Sequence, residues 1–386
     1  MRYKDVYEEA RRLLMICNAC RYCEGICPVW TAIEFRTDFK ETDIDYMAFL
    51  CHDCRTCYYV CPYSPPHELN LNPPKIFSAI RFIDYTKYSP RFFKRIYEKP
   101  IISTIILQII GIALAFTVAF YNLGFDLNRF FMVSRFYYVF PHDQIYIGGL
   151  ILAIYIALTL LYQSIMFVRG IGIKELSDLF LSSFLLALKD VLFHTWFRDG
   201  ILSCGYRNED YYMFKKLFWV FHGMIMYGAL LLILATITAA VYKNFFGIFS
   251  PYPFYSIPVL LGVTGGILAL LGLLIVIYSY KGSEEVELRA REEKSLNLAF
   301  SISILLPVIT GLLTLISRST NFMSMIYIVH LGTVIGFFLY IPFSKFNHTI
   351  FRYLTLAKYY SEIFSREHFR INPDSKKRKV RIILIA

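Results

Sequence analysis

The amino-acid sequence predicts a mainly α-helical protein in which a cysteine-rich N-terminal domain precedes a bundle of six membrane-spanning helices. Three observations lead to this fold class. Of the 386 residues, 56% are hydrophobic, a share that is high for a water-soluble chain of this length. Six apolar stretches are long enough to cross a bilayer. Eight of the nine cysteines lie between residues 17 and 61.

These eight cysteines form two copies of the run C-x2-C-x2-C-x3-C-P, which binds [4Fe–4S] clusters in bacterial ferredoxins. In that arrangement the fourth cysteine of each run ligates the other cluster. Disulfides would need an oxidising compartment and a secretory signal, and zinc sites rarely use this run twice. We therefore predict one cluster on Cys17, Cys20, Cys23 and Cys61, and a second on Cys51, Cys54, Cys57 and Cys27.

The two-cluster, ferredoxin-like domain is predicted to occupy residues 1–75. Residues 29–50 carry a helical pattern, which favours a helical ferredoxin and leaves the compact βαββαβ form open. Residues 62–75 contain five prolines, so we expect an extended linker there. Residues 76–100 are then predicted as a basic linker, or collar, that leads into the first span.

The membrane domain is predicted over residues 101–349, followed by a basic cytoplasmic tail over residues 350–386. The stretch 171–197 is apolar but carries charges, which are costly in lipid, so we expect an interfacial helix rather than a seventh span. The six spans are expected at approximately 101–121, 145–168, 217–242, 254–280, 296–317 and 325–344.

The distribution of positive charge orients this bundle, because cytoplasmic segments of membrane proteins carry an excess of Lys and Arg. The connections on one side of the membrane, together with the collar and the tail, are rich in basic residues. The connections on the opposite side carry four basic residues. We therefore expect both termini and the cysteine domain on the cytoplasmic side of the cell membrane. The formal charge of +11 then needs no nucleic-acid partner.

Histidines in the bundle are candidate haem ligands, because histidine is rare in lipid-embedded helices and binds haem iron well. His222 and His348 are separated by four crossings and share one side, so they are the favoured axial pair for a b-type haem, although their predicted depths differ by about 10 Å. His330 lies near the other face and leaves a second haem open, with His142 as the candidate partner. Each histidine could instead only join helices by hydrogen bonds. His52, between two cysteines, is predicted to be a solvated spacer.

Several motifs together resemble one family over nearly the whole chain. They are residues 17–25 and 65–68 in the N-terminal domain, and residues 258–266, 330–332 and 342–348 in the bundle. With these motifs the chain resembles the citrate (tricarballylate) utilization protein B family. This resemblance implies an iron–sulfur and haem membrane protein. Such a protein takes electrons from a soluble FAD-dependent dehydrogenase and delivers them to the respiratory quinone pool.

The last span also resembles that of nitrate reductase gamma subunits, which implies a cytochrome b-like bundle in which two such histidines bind different haems. Leu232 departs from the gamma pattern, so the second haem stays open. No Rossmann fingerprint, flavin motif or catalytic triad is visible, which assigns the dehydrogenase chemistry to a partner.

Three other functions were weighed against the residues. A heterodisulfide-reductase-like enzyme would need adjacent cysteines, and the sequence has no Cys-Cys pair. A redox-driven transporter would need carboxylates along the spans, which contain almost none. A redox sensor would need an output domain, for which the basic tail is a poor candidate. A membrane electron-transfer component is therefore the leading interpretation.

Overall fold

The computed structural model describes residues 3–131, 136–173, 179–198, 209–280 and 289–371. In these ranges the regular structure is helical throughout and contains no β-strand. The mainly α fold class is thereby confirmed, and the helical form of the N-terminal domain is favoured over the βαββαβ form. Cys204, predicted to be a free loop thiol, lies outside the described residues.

Five helices build the N-terminal domain around one apolar core. Leu13 of the first helix, Phe49 of the third and Phe77 of the fifth are all almost completely buried in it. The third helix ends at the beginning of the second cysteine run. The helices are α1 (Tyr3–Cys20), α2 (Pro28–Ile33), α3 (Glu41–Leu50), α4 (Thr56–Tyr59) and α5 (Pro73–Lys87).

The predicted linker and collar are partly wrong, because α5 belongs to the N-terminal domain. Pro73 and Pro74 occupy the first turn of this helix, where a missing N–H costs no hydrogen bond. Asn72 caps the helix, since its side-chain oxygen accepts from the backbone N–H of Lys75 at 3.2 Å. Residues 73–87 therefore form a packed helix, and the short helix α6 (Lys94–Glu98) precedes the membrane part.

Six helices are long and apolar enough to cross a membrane, as the sequence predicts. Their apolar parts begin and end close to the expected positions. The short helix α8 (Phe136–Val139) lies between the first two. The spanning helices are α7 (Pro100–Asn122), α9 (His142–Gly170), the Phe218–Phe246 part of α12 (Glu209–Phe246), α13 (Ile257–Ser279), α14 (Arg291–Ser317) and α15 (Met323–Tyr340).

Between the second and third spans lie α10 (Leu181–Phe193) and α11 (Thr195–Arg198). Helix α10 has 13 residues and is therefore about 20 Å long, short of the bilayer core of about 30 Å. Its Asp190 accepts hydrogen bonds from the indole of Trp196, at 2.8 Å, and from the hydroxyl of Tyr360. The charged residues 174–178 of this stretch lie outside the described part, so its interfacial position stays a prediction.

The chain after α15 differs from the predicted continuous span and tail. A short 3-10 turn at Ile341–Phe343 contains Pro342 and interrupts the helix, and α16 (Asn347–Ile371) then begins. His348 therefore lies on a different helix from His330. Phe351 and Leu356 of α16 are buried, because this helix packs on α3 and α10. Residues 350–371 are thus a packed helix rather than part of a tail.

A buried carboxylate joins the N-terminal domain to the membrane helices. Glu293, near the start of α14, is completely buried, and its two carboxylate oxygens accept from Nε and Nη2 of Arg81, at 2.8 and 3.1 Å. The same carboxylate accepts a hydrogen bond from the ammonium of Lys345 at 2.5 Å. Arg81 was predicted to belong to an exposed basic collar, but it is 1% exposed because Glu293 neutralises it inside the protein.

Replacing Glu293 should destabilise the protein strongly. The change Glu293→Gln removes the negative charge and leaves two cations buried without compensation, which typically costs about 3–5 kcal/mol. The thermal unfolding midpoint in detergent measures this loss. Glu292→Gln is the matched control, because the neighbouring side chain is exposed and its replacement should change little. Equal midpoints for the two variants would contradict the structural role of Glu293.

Candidate functional site

Five cysteines of the N-terminal domain line one pocket near the protein surface. Four of them, Cys17, Cys20, Cys23 and Cys61, we call the surface cysteine group, and the fifth is Cys57. The pocket encloses about 460 Å³, part of it open to solvent. Residue Arg21, with a φ of 54°, turns the chain sharply between the second and third of these cysteines. Cys20 is exposed, whereas the other three are half-buried.

The remaining four cysteines of the two runs lie together, and we call them the junction cysteine group: Cys27, Cys51, Cys54 and Cys57. Electrostatic interactions connect Cys27 with Cys51 and Cys54, and Cys57 with all three. The structure therefore brings the fourth cysteine of each run to the first three of the other run. This is the exchange that the cysteine motif predicts.

The surroundings of both groups suit a metal cluster. Burial raises the pKa of Cys17 and of Cys23 to about 12, and raises that of Cys51 to about 11 against the opposing charge of Arg81. Thiolates in such places need a bound cation to remain charged. Among the described residues, no three such side chains converge tightly enough to share one metal ion. Two groups of four thiols are the donor set that iron–sulfur clusters use.

Three histidines meet on the side of the bundle that faces the N-terminal domain. The rings of His222, on α12, and His348, on α16, have centroids 6.1 Å apart and are nearly perpendicular. His194 lies against them, with its Nε2 2.9 Å from Nδ1 of His222. Nδ1–H of His348 donates to the backbone carbonyl of Lys345 at 2.5 Å. The sequence-predicted axial pair is therefore brought together.

The expected difference in depth between His222 and His348 is not found. The ammonium of Lys345, three residues before His348, is buried against Glu293 and so marks no membrane edge. The sequence reasoning also missed His194, which ends α10 in a left-handed conformation with a φ of 53°. The scarcity of histidine in apolar stretches is the signal that could have found it.

The geometry of the two rings fits a shared metal ion. A metal–imidazole bond is about 2 Å long, so two imidazoles on opposite sides of one ion have centroids roughly 6 Å apart. The observed separation is 6.1 Å, and neither ring is fully buried. Nδ1 of both rings is hydrogen-bonded, and a ligating histidine with this arrangement binds its metal through Nε2.

His330 has different surroundings. Its Nδ1 lies 3.2 Å from the hydroxyl of Thr310 on α14, and the ring packs so tightly on Gly311 that a Cβ there would lie 3.0 Å from Cε1. His142 contacts Tyr137 and Tyr146 instead. In the described part of the chain, no contact joins His142 to His330, so the structure supplies no second histidine for a haem at this position.

His52 is buried, so its prediction as a solvated spacer is wrong. Its ring is 9% exposed, and its Nδ1 lies 2.8 Å from the carbonyl oxygen of Leu50. Burial and the charge of Arg352 lower the pKa of His52 well below its usual value. His52 also interacts electrostatically with His194.

Comparison with known proteins agrees with this arrangement. A family model described as citrate utilization protein B matches residues 106–367, and one described as the Fer4-like domain of the same protein matches residues 10–87. The chain belongs to the citrate utilization protein B family. It is 33% identical over 358 residues to the citrate utilization protein B of Escherichia coli, a match that covers 91% of each chain. No solved structure matches significantly.

Membership of the citrate utilization protein B family confirms the resemblance seen in the sequence. The Fer4-like match ends at residue 87, which is also where α5 ends. The N-terminal domain therefore extends further than the predicted boundary at residue 75. The six apolar helices of the second part identify the chain as a multi-pass membrane protein.

Proposed function

We propose that this chain is the membrane component that carries electrons from a soluble FAD-dependent dehydrogenase to membrane quinone, through two [4Fe–4S] clusters and one b-type haem. The observation that carries the proposal is the order of the side chains in space. The surface cysteine group opens to solvent at Cys20, and Arg352, four residues after His348 on α16, donates to the carbonyl of Cys51 in the junction cysteine group at 3.0 Å. The family name points to citrate or a related tricarboxylate as the partner's substrate.

In this proposal the cysteines hold the clusters in the exchanged pairing. Cys17, Cys20, Cys23 and Cys61 hold one cluster, and Cys51, Cys54, Cys57 and Cys27 hold the other. When bound, each cluster accepts and releases one electron without breaking bonds in the protein. The exposure of Cys20 makes the surface cysteine group the point of entry, because an electron donor must approach closely. Arg21 and Tyr22 beside it would form part of the docking surface.

His222 and His348 are the proposed axial ligands of the haem, and their neighbours orient them. The carbonyl of Lys345 fixes the ring of His348, and Nε2 of His194 holds Nδ1 of His222. Such outer hydrogen bonds select the tautomer and direct Nε2 toward a metal. A second haem at His330 would need a ligand other than histidine, so we propose one haem.

The proposed orientation places the N-terminal domain, both termini and the three histidines on the cytoplasmic side. The excess of Lys and Arg in the connections on that side supports it. The quinone would then receive electrons near the cytoplasmic face of the membrane. Exposed basic residues would favour a partner with an acidic surface, and salt would weaken the attraction.

The histidine assignment predicts the visible spectra of single variants. His222→Ala and His348→Ala should each abolish the low-spin b-type signal of the purified protein, because the iron then loses one of its two imidazoles. His330→Ala is the matched control and should leave the signal intact. Reduced-minus-oxidised spectra measure the outcome. Loss of the signal in His330→Ala, with retention in His348→Ala, would show that the pairing is wrong.

The proposed route can be tested by rapid mixing. A reduced FAD-dependent dehydrogenase that oxidises citrate or tricarballylate is mixed with the full-length protein, and haem absorbance is followed. Replacing Cys51 and Cys54 by serine should slow haem reduction by more than tenfold, roughly the effect of a 1.4 kcal/mol increase in barrier. Direct reduction by dithionite controls for haem content. Unchanged rates in the serine variant would remove the clusters from the route.

A further inference from the structure

The last turn of α3 leads directly into Cys51, and all four of its final carbonyl groups have donors. The carbonyl groups at the end of an isolated helix lack partners, so the donors found here show what holds this end in place. Two of the donors are arginines from other parts of the chain. Met47 accepts from the backbone N–H of Cys51 at 3.0 Å, Ala48 from Arg81 at 3.1 Å, Phe49 from Arg352 at 3.4 Å, and Leu50 from the ring of His52 at 2.8 Å.

Arg352 is the more informative of the two arginines. Its second guanidinium arm donates to the carbonyl of Cys51 at 3.0 Å, so it touches a residue of the junction cysteine group directly. Arg352 is half-buried, and no carboxylate of the described residues lies within ion-pair distance of it. It follows His348 by four residues on α16, so the two side chains share one face of that helix.

The charge around the two cysteine groups is therefore unequal. Arg352 acts electrostatically on Cys51 from within the protein, where the dielectric constant is low and charges interact strongly. Arg81 also acts on Cys51, but Glu293 neutralises its charge. Arg289 forms an ion pair with Asp53, which neutralises the acidic residue of the same loop. The surface cysteine group is bordered by Arg21 and Glu24, an exposed pair of opposite charges in contact with water.

Unequal charge has a direct consequence for electron transfer. Reduction adds one negative charge to a cluster, so a nearby fixed positive charge stabilises the reduced form and raises the reduction potential. We propose that Arg352 gives the junction cluster a higher reduction potential than the surface cluster. An electron that enters at Cys20 then moves toward the membrane with a favourable free energy. The surface cluster is reoxidised and the junction cluster reduced, one electron for one.

This inference rests on the proposed function, because it needs both clusters. Its second part is that Arg352 is a positioning residue, since its fork links the peptide of Cys51 to the helix that carries His348. The potential of the junction cluster is the property that separates this role from a purely structural one. A residue that only held the fold together would not shift one cluster and leave the other unchanged.

The test is a redox titration of the purified full-length protein, followed by electron paramagnetic resonance. Cys20→Ser, which alters a ligand of the surface cluster alone, assigns the two signals. We expect the junction cluster to be reduced first, at the higher potential. Arg352→Gln should lower the potential of the junction cluster and leave that of the surface cluster unchanged, whereas Arg352→Lys should retain most of the difference. Arg366→Gln, an exposed arginine on the same helix, is the matched control.

Several outcomes would overturn the inference. The first is that the junction cluster is reduced last. The second is that Arg352→Gln shifts the reduction potentials of both clusters equally. The third is that neither potential shifts in an Arg352→Gln variant that retains both clusters. If the Arg352→Gln variant does not assemble its clusters, the inference is still tested by the order of the two potentials in the wild-type protein and by the Arg352→Lys variant. A protein purified anaerobically with neither iron nor sulfide would instead contradict the proposed function, and iron and sulfide analysis distinguishes the two failures.

Discussion

The contact between the two parts of this protein depends on the buried carboxylate of Glu293. One of its neighbours, Arg81, also donates to the carbonyl of Ala48 and so holds the end of α3, where Cys51 follows. The other neighbour, Lys345, presents its backbone carbonyl to the ring of His348. A single side chain of α14 thus fixes both a residue of the junction cysteine group and a histidine of the proposed axial pair.

This dependence explains why charged groups are kept inside an apolar protein. Burying three charges is costly, and a hydrophobic replacement is often at least as stable. The arginine and the lysine, however, each make a second contact that a hydrophobic side chain could not make. The result is a defined position for the ligating peptide relative to the histidines. The rate of electron transfer depends on the distance between redox centres. A fixed position therefore matters more for electron transfer than additional stability does.

The sequence was a good guide wherever the signal was local. The spacing of cysteines predicted the exchanged grouping of Cys27 and Cys61, and hydropathy predicted the six spanning helices. It was a poor guide where tertiary contacts decide. Prolines 73 and 74 were interpreted as linker residues, although they begin a packed helix. Pro342 falls inside the predicted last span, but in the structure it lies in the turn that follows that helix.

The charged and histidine residues show the same limit. Arg81 falls in the predicted basic collar, and the sequence does not reveal its partner, because Glu293 is distant along the chain. The sequence gives no indication of the partner of His194, since only the fold brings it to His222. His52 was assigned to solvent, because the sequence does not show that α16 covers the loop. In each case a contact between distant segments determines the role of the residue.

The most direct test of this account is the density of the metal-loaded protein, determined by cryo-electron microscopy of an anaerobic preparation. The account predicts one cubane cluster on the junction cysteine group, one on the surface cysteine group, and a haem whose iron lies between His222 and His348. Density for a haem bound by His330 without His348, or for single metal ions at the cysteines, would contradict it.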